Sequence, residues 1–130
     1  VMIMPYLEGE EISVDCLETE DGLIAVPRVK GKARDEEIVF DESVIRMCRA
    51  VIDRTLLEYP CNIQFKVSKQ IPYLLEVNTR MSGGIQKSCL AAGVNIPNIA
   101  FNKLKGIRKP WAIQCKNSLV SHIETPHFIP

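Results

Sequence analysis

The stretch LLEVNTRMSGG, residues 74–84, decides how this chain is read. Leu75, Val77 and Thr79 alternate with Glu76, Asn78 and Arg80, the period of a strand whose successive side chains point to opposite faces. One face is apolar and suits a core. The other gathers a carboxylate, an amide and a guanidinium, groups that are expensive to bury without partners. The polar face therefore meets solvent or grips a ligand, and the pattern alone leaves both readings open.

The segment just before it repeats the arrangement. In NIQFKV, residues 62–67, Ile63, Phe65 and Val67 share one face and Asn62, Gln64 and Lys66 the other. Pairing the two strands about Gln70 sets Gln64 opposite Glu76 and Asn62 opposite Asn78. The apolar sets Ile63/Phe65/Val67 and Leu75/Val77 then face the helices together, and the polar sets also coincide. Glu, Gln and Asn offer hard oxygen ligands of the kind Mg²⁺ prefers, and that ion takes only one or two protein carboxylates beside substrate phosphates. The planar fork of Arg80 suits a phosphate. At Ser82–Gly83–Gly84 the strand passes into a helix, where glycines admit a ligand to the backbone and free N–H groups favour an anion. A plain helix-start turn explains the same residues equally well.

Working outward, residues 1–7 (VMIMPYL) read as an apolar strand, and Ile12, Val14 and Cys16 alternate with Glu11, Ser13 and Asp15 as a second. ETEDG at 18–22 is a turn, and LIAVPRVK at 23–30 returns as an antiparallel partner. GKARDEE at 31–37 reads as a charged, mobile loop. Asp41 can cap a helix with the stripe Val44, Met47, Cys48, Val51, Ile52 and Leu56, closed by Pro60. A second helix runs from Gly83–Gly84 to a Gly93 cap, and Asn95 with Pro97 opens a third that ends at Gly106. The rest is one more strand and an extended end, with Trp111 as an anchor on the domain. The order β-β-β-α-β-β-α-α-β with hairpin connections predicts an α+β fold, an antiparallel sheet covered by helices. Residues 1–106 form the main lobe, and residues 107–130 form a terminal strand and tail that packs on it or leaves it.

Sixteen basic and sixteen acidic side chains cancel, so no electrostatic footprint for nucleic acid or an anionic membrane exists. No apolar run approaches the ~20 residues of a membrane helix. The five cysteines (Cys16, Cys48, Cys61, Cys89, Cys115) form no CxxC pair, so free buried thiols in a reducing cytoplasm are expected. His122 and His127 fit no common metal-ligand spacing and read as surface residues. The chain opens directly in an apolar strand without a start methionine, and is expected to be part of a longer protein.

NIQF followed by LLEVNTR-SGG resembles the second half of the ATP-grasp fold, and PYLEGEEISVD at 5–15 resembles that family's hinge segment. The motifs stand in the family's order across about residues 1–106. The resemblance implies ATP and Mg²⁺ as cofactors, with Mn²⁺ as a substitute. It makes Glu76 and Asn78 metal ligands, completed by Gln64 or its water, and turns Arg80 toward the transferred phosphoryl group or the acyl phosphate. Glu11 would bond the ribose hydroxyls, while the carbonyl of Pro5 and the amide of Leu7 would read the adenine edge. Many relatives carry a Glu where Pro5 stands, though proline keeps the carbonyl. Arg28 and Lys30 become polyphosphate or substrate contacts, or else a solvated basic strand end, and Ser82, Gly83 and Gly84 lie near the acceptor substrate. NIQF and LAAGVNIP are similar to the carbamoyl-phosphate synthetase large subunit and related amino-acid ligases, whereas the Q-V-E-H continuation of biotin carboxylases is missing. The implied partners are ATP, a small carboxylate, an amine-type acceptor and an amino-terminal ATP-grasp lobe, without which the chain is expected to be inactive. The alternative is a non-catalytic binding or assembly module that kept the fold. Oligomeric state is left open.

Overall fold

The structure, a computed structural model, describes residues 5–31, 35–114 and 117–121. Strands β1 (Glu10–Thr19), β2 (Gly22–Lys30) and β3 (Asp35–Ile38) precede helix α1 (Glu42–Thr55). They are followed by β4 (Cys61–Ser68), β5 (Ile71–Asn78), α2 (Ile85–Ala92), α3 (Ile96–Leu104) and β6 (Ser118–Ser121). The strands form one six-stranded sheet in the order β5-β4-β1-β2-β3-β6, and every neighbouring pair is antiparallel. The expected α+β architecture is what forms.

Helices cover both faces of the sheet. Ile12, Val14, Cys16, Ala25, Ile63 and Phe65 pack against Val44, Cys48 and Ile52 of α1. On the opposite face Leu17, Ile24, Val26 and Ile38 meet Ala92 of α2 and Ile96, Ile99 and Ala100 of α3. The second face is apolar only at that end. Farther along the same strands the alternation brings Asp15, Ser13 and Arg28 to this face, and with them Asn62 and Gln64 of β4. This half-apolar, half-polar surface places the candidate site.

Local chemistry explains the element ends. Asp41 accepts from the amides of Ser43 and Val44 and so caps α1. Gly93 ends α2 in the left-handed conformation, and Asn95 caps α3 through the amide of Asn98 with a proline in its first turn. The β4–β5 turn puts Lys69 and Gln70 at φ of 50° and 65°, the pattern of a type I′ hairpin made without glycine. Cys16 and Cys61 lie opposite one another on β1 and β4, and with Cys48 they are buried free thiols. Hydrogen bonding with Cys48 and Cys61, together with burial, pushes the Cys16 thiol well above its ordinary value.

Four expectations change. Residues 35–37, the end of the stretch read as loop, form β3 together with Ile38, because Gly31 donates to the carbonyl of Asp35 and turns the chain straight back onto β2. Residues 5–7, the described part of the stretch 1–7 read as strand, have no regular structure, and the rest of that stretch lies outside the described residues. Leu56, placed in the α1 stripe, is the left-handed cap (φ 53°) and is 80% exposed, since helical periodicity stops one residue earlier. Leu75, placed in the core, is 41% exposed. A register shift makes Phe65 face Leu74 while Gln64 faces Glu76, so Leu75 is the extra residue of a bulge and leaves the core face.

Trp111 packs against the α2–α3 core and donates from Nε1 to Thr19 Oγ1 at 2.9 Å, which makes it the anchor expected of it. Cys115, His122 and His127 lie outside the described residues. Among the described residues, no helix is long and apolar enough to cross a membrane.

Candidate functional site

The polar register expected from the sequence is present. Gln64 faces Glu76 and Asn62 faces Asn78 across the β4–β5 pair. Because β5 is the sheet edge, Glu76 is exposed, whereas Asn62, one strand position inward, is buried. Asn78 Nδ2 donates to Glu76 Oε1 at 2.8 Å, which locks the two side chains onto one face. Arg80 stands apart: β5 ends at Asn78, and the exposed Arg80 turns back to donate to the carbonyl of Met81 at 3.1 Å. Among the described residues, no three His, Cys, Asp or Glu side chains gather as a metal cluster. A single carboxylate flanked by amide oxygens is nevertheless the sparse donor set that suits Mg²⁺ carrying phosphates and water, and it suits a zinc or calcium cage poorly. The residues fit a Mg²⁺–nucleotide.

Beside this set runs a groove of about 610 Å³, lined by Pro5, Tyr6, Leu7, Glu11, Lys66, Tyr73, Leu74 and Leu75. Its size and its largely apolar lining suit a small organic ligand. Pro5, Leu7 and Glu11 are thus brought together, one strand row from Gln64. The close approach of the hinge to the sheet depends on Gly9, at φ 128°, where a Cβ would overlap the carbonyl of Val67. Sequence reasoning missed Tyr6, Lys66, Tyr73, Leu74 and Leu75 as groove residues. The signal for the leucines was the pair Leu74–Leu75 itself, since two adjacent large apolar residues break strict alternation.

A comparison with family models matches residues 1–126 to the family described as ATP-grasp in the biosynthetic pathway with Ter operon. The chain belongs to that ATP-grasp family. A search of curated proteins finds no match. ATP-grasp domains are typically ligases and generally bind ATP with Mg²⁺, and a six-stranded antiparallel sheet with three helices is consistent with an ATP-grasp lobe.

Behind the open edge of this ATP-grasp family chain lies a buried ionic network that the sequence did not disclose. Arg28, expected as a polyphosphate contact, is 5% exposed, and Asp15 is 1% exposed. Arg28 Nε donates to Asp15 Oδ2 at 3.2 Å, one terminal nitrogen bonds Glu36, and the other donates to Ser82 Oγ at 2.9 Å. Asp15 also accepts from Ser88 Oγ at 2.5 Å and from Asn62 Nδ2 at 3.1 Å. The guanidinium is thus surrounded by protein groups, and Arg28 is a buried pillar under the turn instead of an open phosphate contact. Lys30, its fellow candidate, is exposed at the end of β2. Burial alone would raise the Glu36 carboxyl, but hydrogen bonds from Arg28 and Lys87 outweigh it and hold it below the usual carboxylate range.

The turn at Ser82–Gly84 rests on this pillar. Ser82 Oγ receives Arg28 and also accepts from the amide of Gly84 at 3.2 Å, so one hydroxyl ties the turn to the sheet. A Cβ on Gly84 would overlap the Arg28 guanidinium, which gives that glycine a packing reason independent of any ligand. Gly83 is open, with nothing near where a side chain would stand.

Proposed function

We propose that this chain is the ATP- and Mg²⁺-binding carboxyl-terminal lobe of an ATP-dependent carboxylate ligase, similar in kind to the large subunit of carbamoyl-phosphate synthetase. The observation that carries this reading is the pairing of Gln64 with Glu76 and Asn62 with Asn78 on an open sheet edge, one row from a groove lined by the hinge. The family's description, which sets its members in a biosynthetic pathway, supports a bond-forming role.

In this reading the groove holds adenine against the backbone of Pro5 and Leu7, and Glu11 accepts from the ribose hydroxyls. Gln64, Glu76 and Asn78 would hold Mg²⁺, which when bound neutralises charge on the transferring phosphoryl group. The substrate carboxylate oxygen bonds to the terminal phosphorus as the bridging bond to ADP breaks, giving an acyl phosphate. An amine then attacks the acyl carbon, phosphate leaves with the bond electrons, and the amine loses a proton. Arg80, exposed beyond β5, is free to swing onto the transferred group, and the turn at Ser82, Gly83 and Gly84 borders the acceptor. The chemistry also requires an amino-terminal ATP-grasp lobe to close over the phosphates, and this lobe alone is inactive.

The test is substitution of the single carboxylate of the metal set. In the full natural protein, Glu76→Gln abolishes Mg²⁺-dependent ATP turnover while leaving the circular dichroism spectrum and melting curve unchanged. Turnover near wild type sinks the assignment.

A further inference from the structure

Lys66 is a cation with no partner among the described residues, at a position where one would matter. It lies directly opposite Glu11 in the β4–β1 pair and opposite Tyr73 in the β4–β5 pair. Oppositely charged residues that face one another across two strands usually pair. Here neither the Lys66 nor the Glu11 side chain makes a hydrogen bond or ion pair with a described residue, and both line the groove with Pro5, Tyr6 and Leu7. The groove wall thus offers a carboxylate that accepts beside an ammonium that donates, in an otherwise apolar lining. A nucleoside phosphate has the complementary order of groups: an apolar base, a hydroxyl-bearing sugar and then an anion.

Position along the strand narrows what the ammonium meets. Asn62, Gln64 and Lys66 follow one another on the polar face of β4, each about 7 Å from the next. Gln64 belongs to the row of Glu76, where the outer phosphates and their metal would sit, and the hinge at residues 5–7 would hold the base. Lys66 falls between the two. Resting on the nucleotide reading above, we infer that Lys66 donates to the innermost phosphoryl group of the bound nucleotide, with Glu11 holding the sugar beside it. Lys66 is then a specificity residue that separates nucleotides from nucleosides using the chain's own charge, before any metal is engaged.

The experiment compares adenosine, AMP and ADP by isothermal titration against the full natural protein and its Lys66→Ala and Lys66→Arg variants, without and with Mg²⁺. A hydrogen bond to a charged group contributes enough that its loss reads as about tenfold or more in affinity. Lys66→Ala weakens AMP and ADP by that factor even without Mg²⁺ and leaves adenosine unchanged, while Lys66→Arg retains most of the preference for AMP. Unchanged AMP and ADP binding in Lys66→Ala overturns the role of the lysine and leaves the nucleotide reading standing. Equal loss of adenosine shows a collapsed groove wall and also overturns it. A wild-type protein that binds none of the three overturns both readings together.

Discussion

At the scale of single residues, Arg28 carries the greatest structural weight of any charged group described. It bonds Asp15, Glu36 and Ser82 from a position almost closed to water. Buried ions of this kind are not a source of stability relative to an apolar replacement of the whole set, but removing one partner leaves the others uncompensated. Arg28→Met is therefore expected to lower unfolding free energy by about 3 kcal/mol or more, read from urea denaturation. Adding Asp15→Asn should recover part of the loss, because it removes the stranded charge. Arg28 was visible in the sequence only as a basic residue near a strand end. Nothing in PRVK says that a carboxylate from β1 and another from β3 converge on it, since β3 itself was hidden in a charged run that read as loop.

At the scale of elements, legibility followed the strength of local signals. The α1 cap at Asp41, the Gly93 stop and the Asn95–Pro97 start each have a mechanism confined to a few residues, and each stands where expected. The β4–β5 register was also legible, because the polar and apolar faces of two short strands coincide in only one alignment. The bulge at Leu75 was not, since it shifts register by a packing choice that neither strand states alone. Asp41→Ala removes the acceptor for the Ser43 and Val44 amides, and is expected to lower stability by about 1 kcal/mol, with the loss appearing as a lower thermal midpoint.

At the scale of the whole molecule, the sheet joins distant parts of the chain. β6 pairs with β3, and Trp111 and Ile113 pack on the α2–α3 core, so the described part of residues 107–121 is built into the sheet and its core. Deleting residues 107–130 strips the outer edge from β3 and opens Ile38 and its neighbours to water. The shortened chain is expected to unfold at lower urea concentration and to self-associate through the bared strand, which size-exclusion chromatography would reveal as higher-mass species. The candidate site was readable to the extent that it lies on one hairpin and one hinge. Its supporting network was not, because it draws residues from β1, β2, β3, β4, the turn at Ser82 and α2. The contact between Gly84 and Arg28 extends this to descent. A side chain can enter at position 84 only if the guanidinium leaves, and once it leaves Asp15 loses its cationic partner. Over the family's history these three positions should drift as one unit, a covariation between a turn and two strands that share no neighbouring sequence.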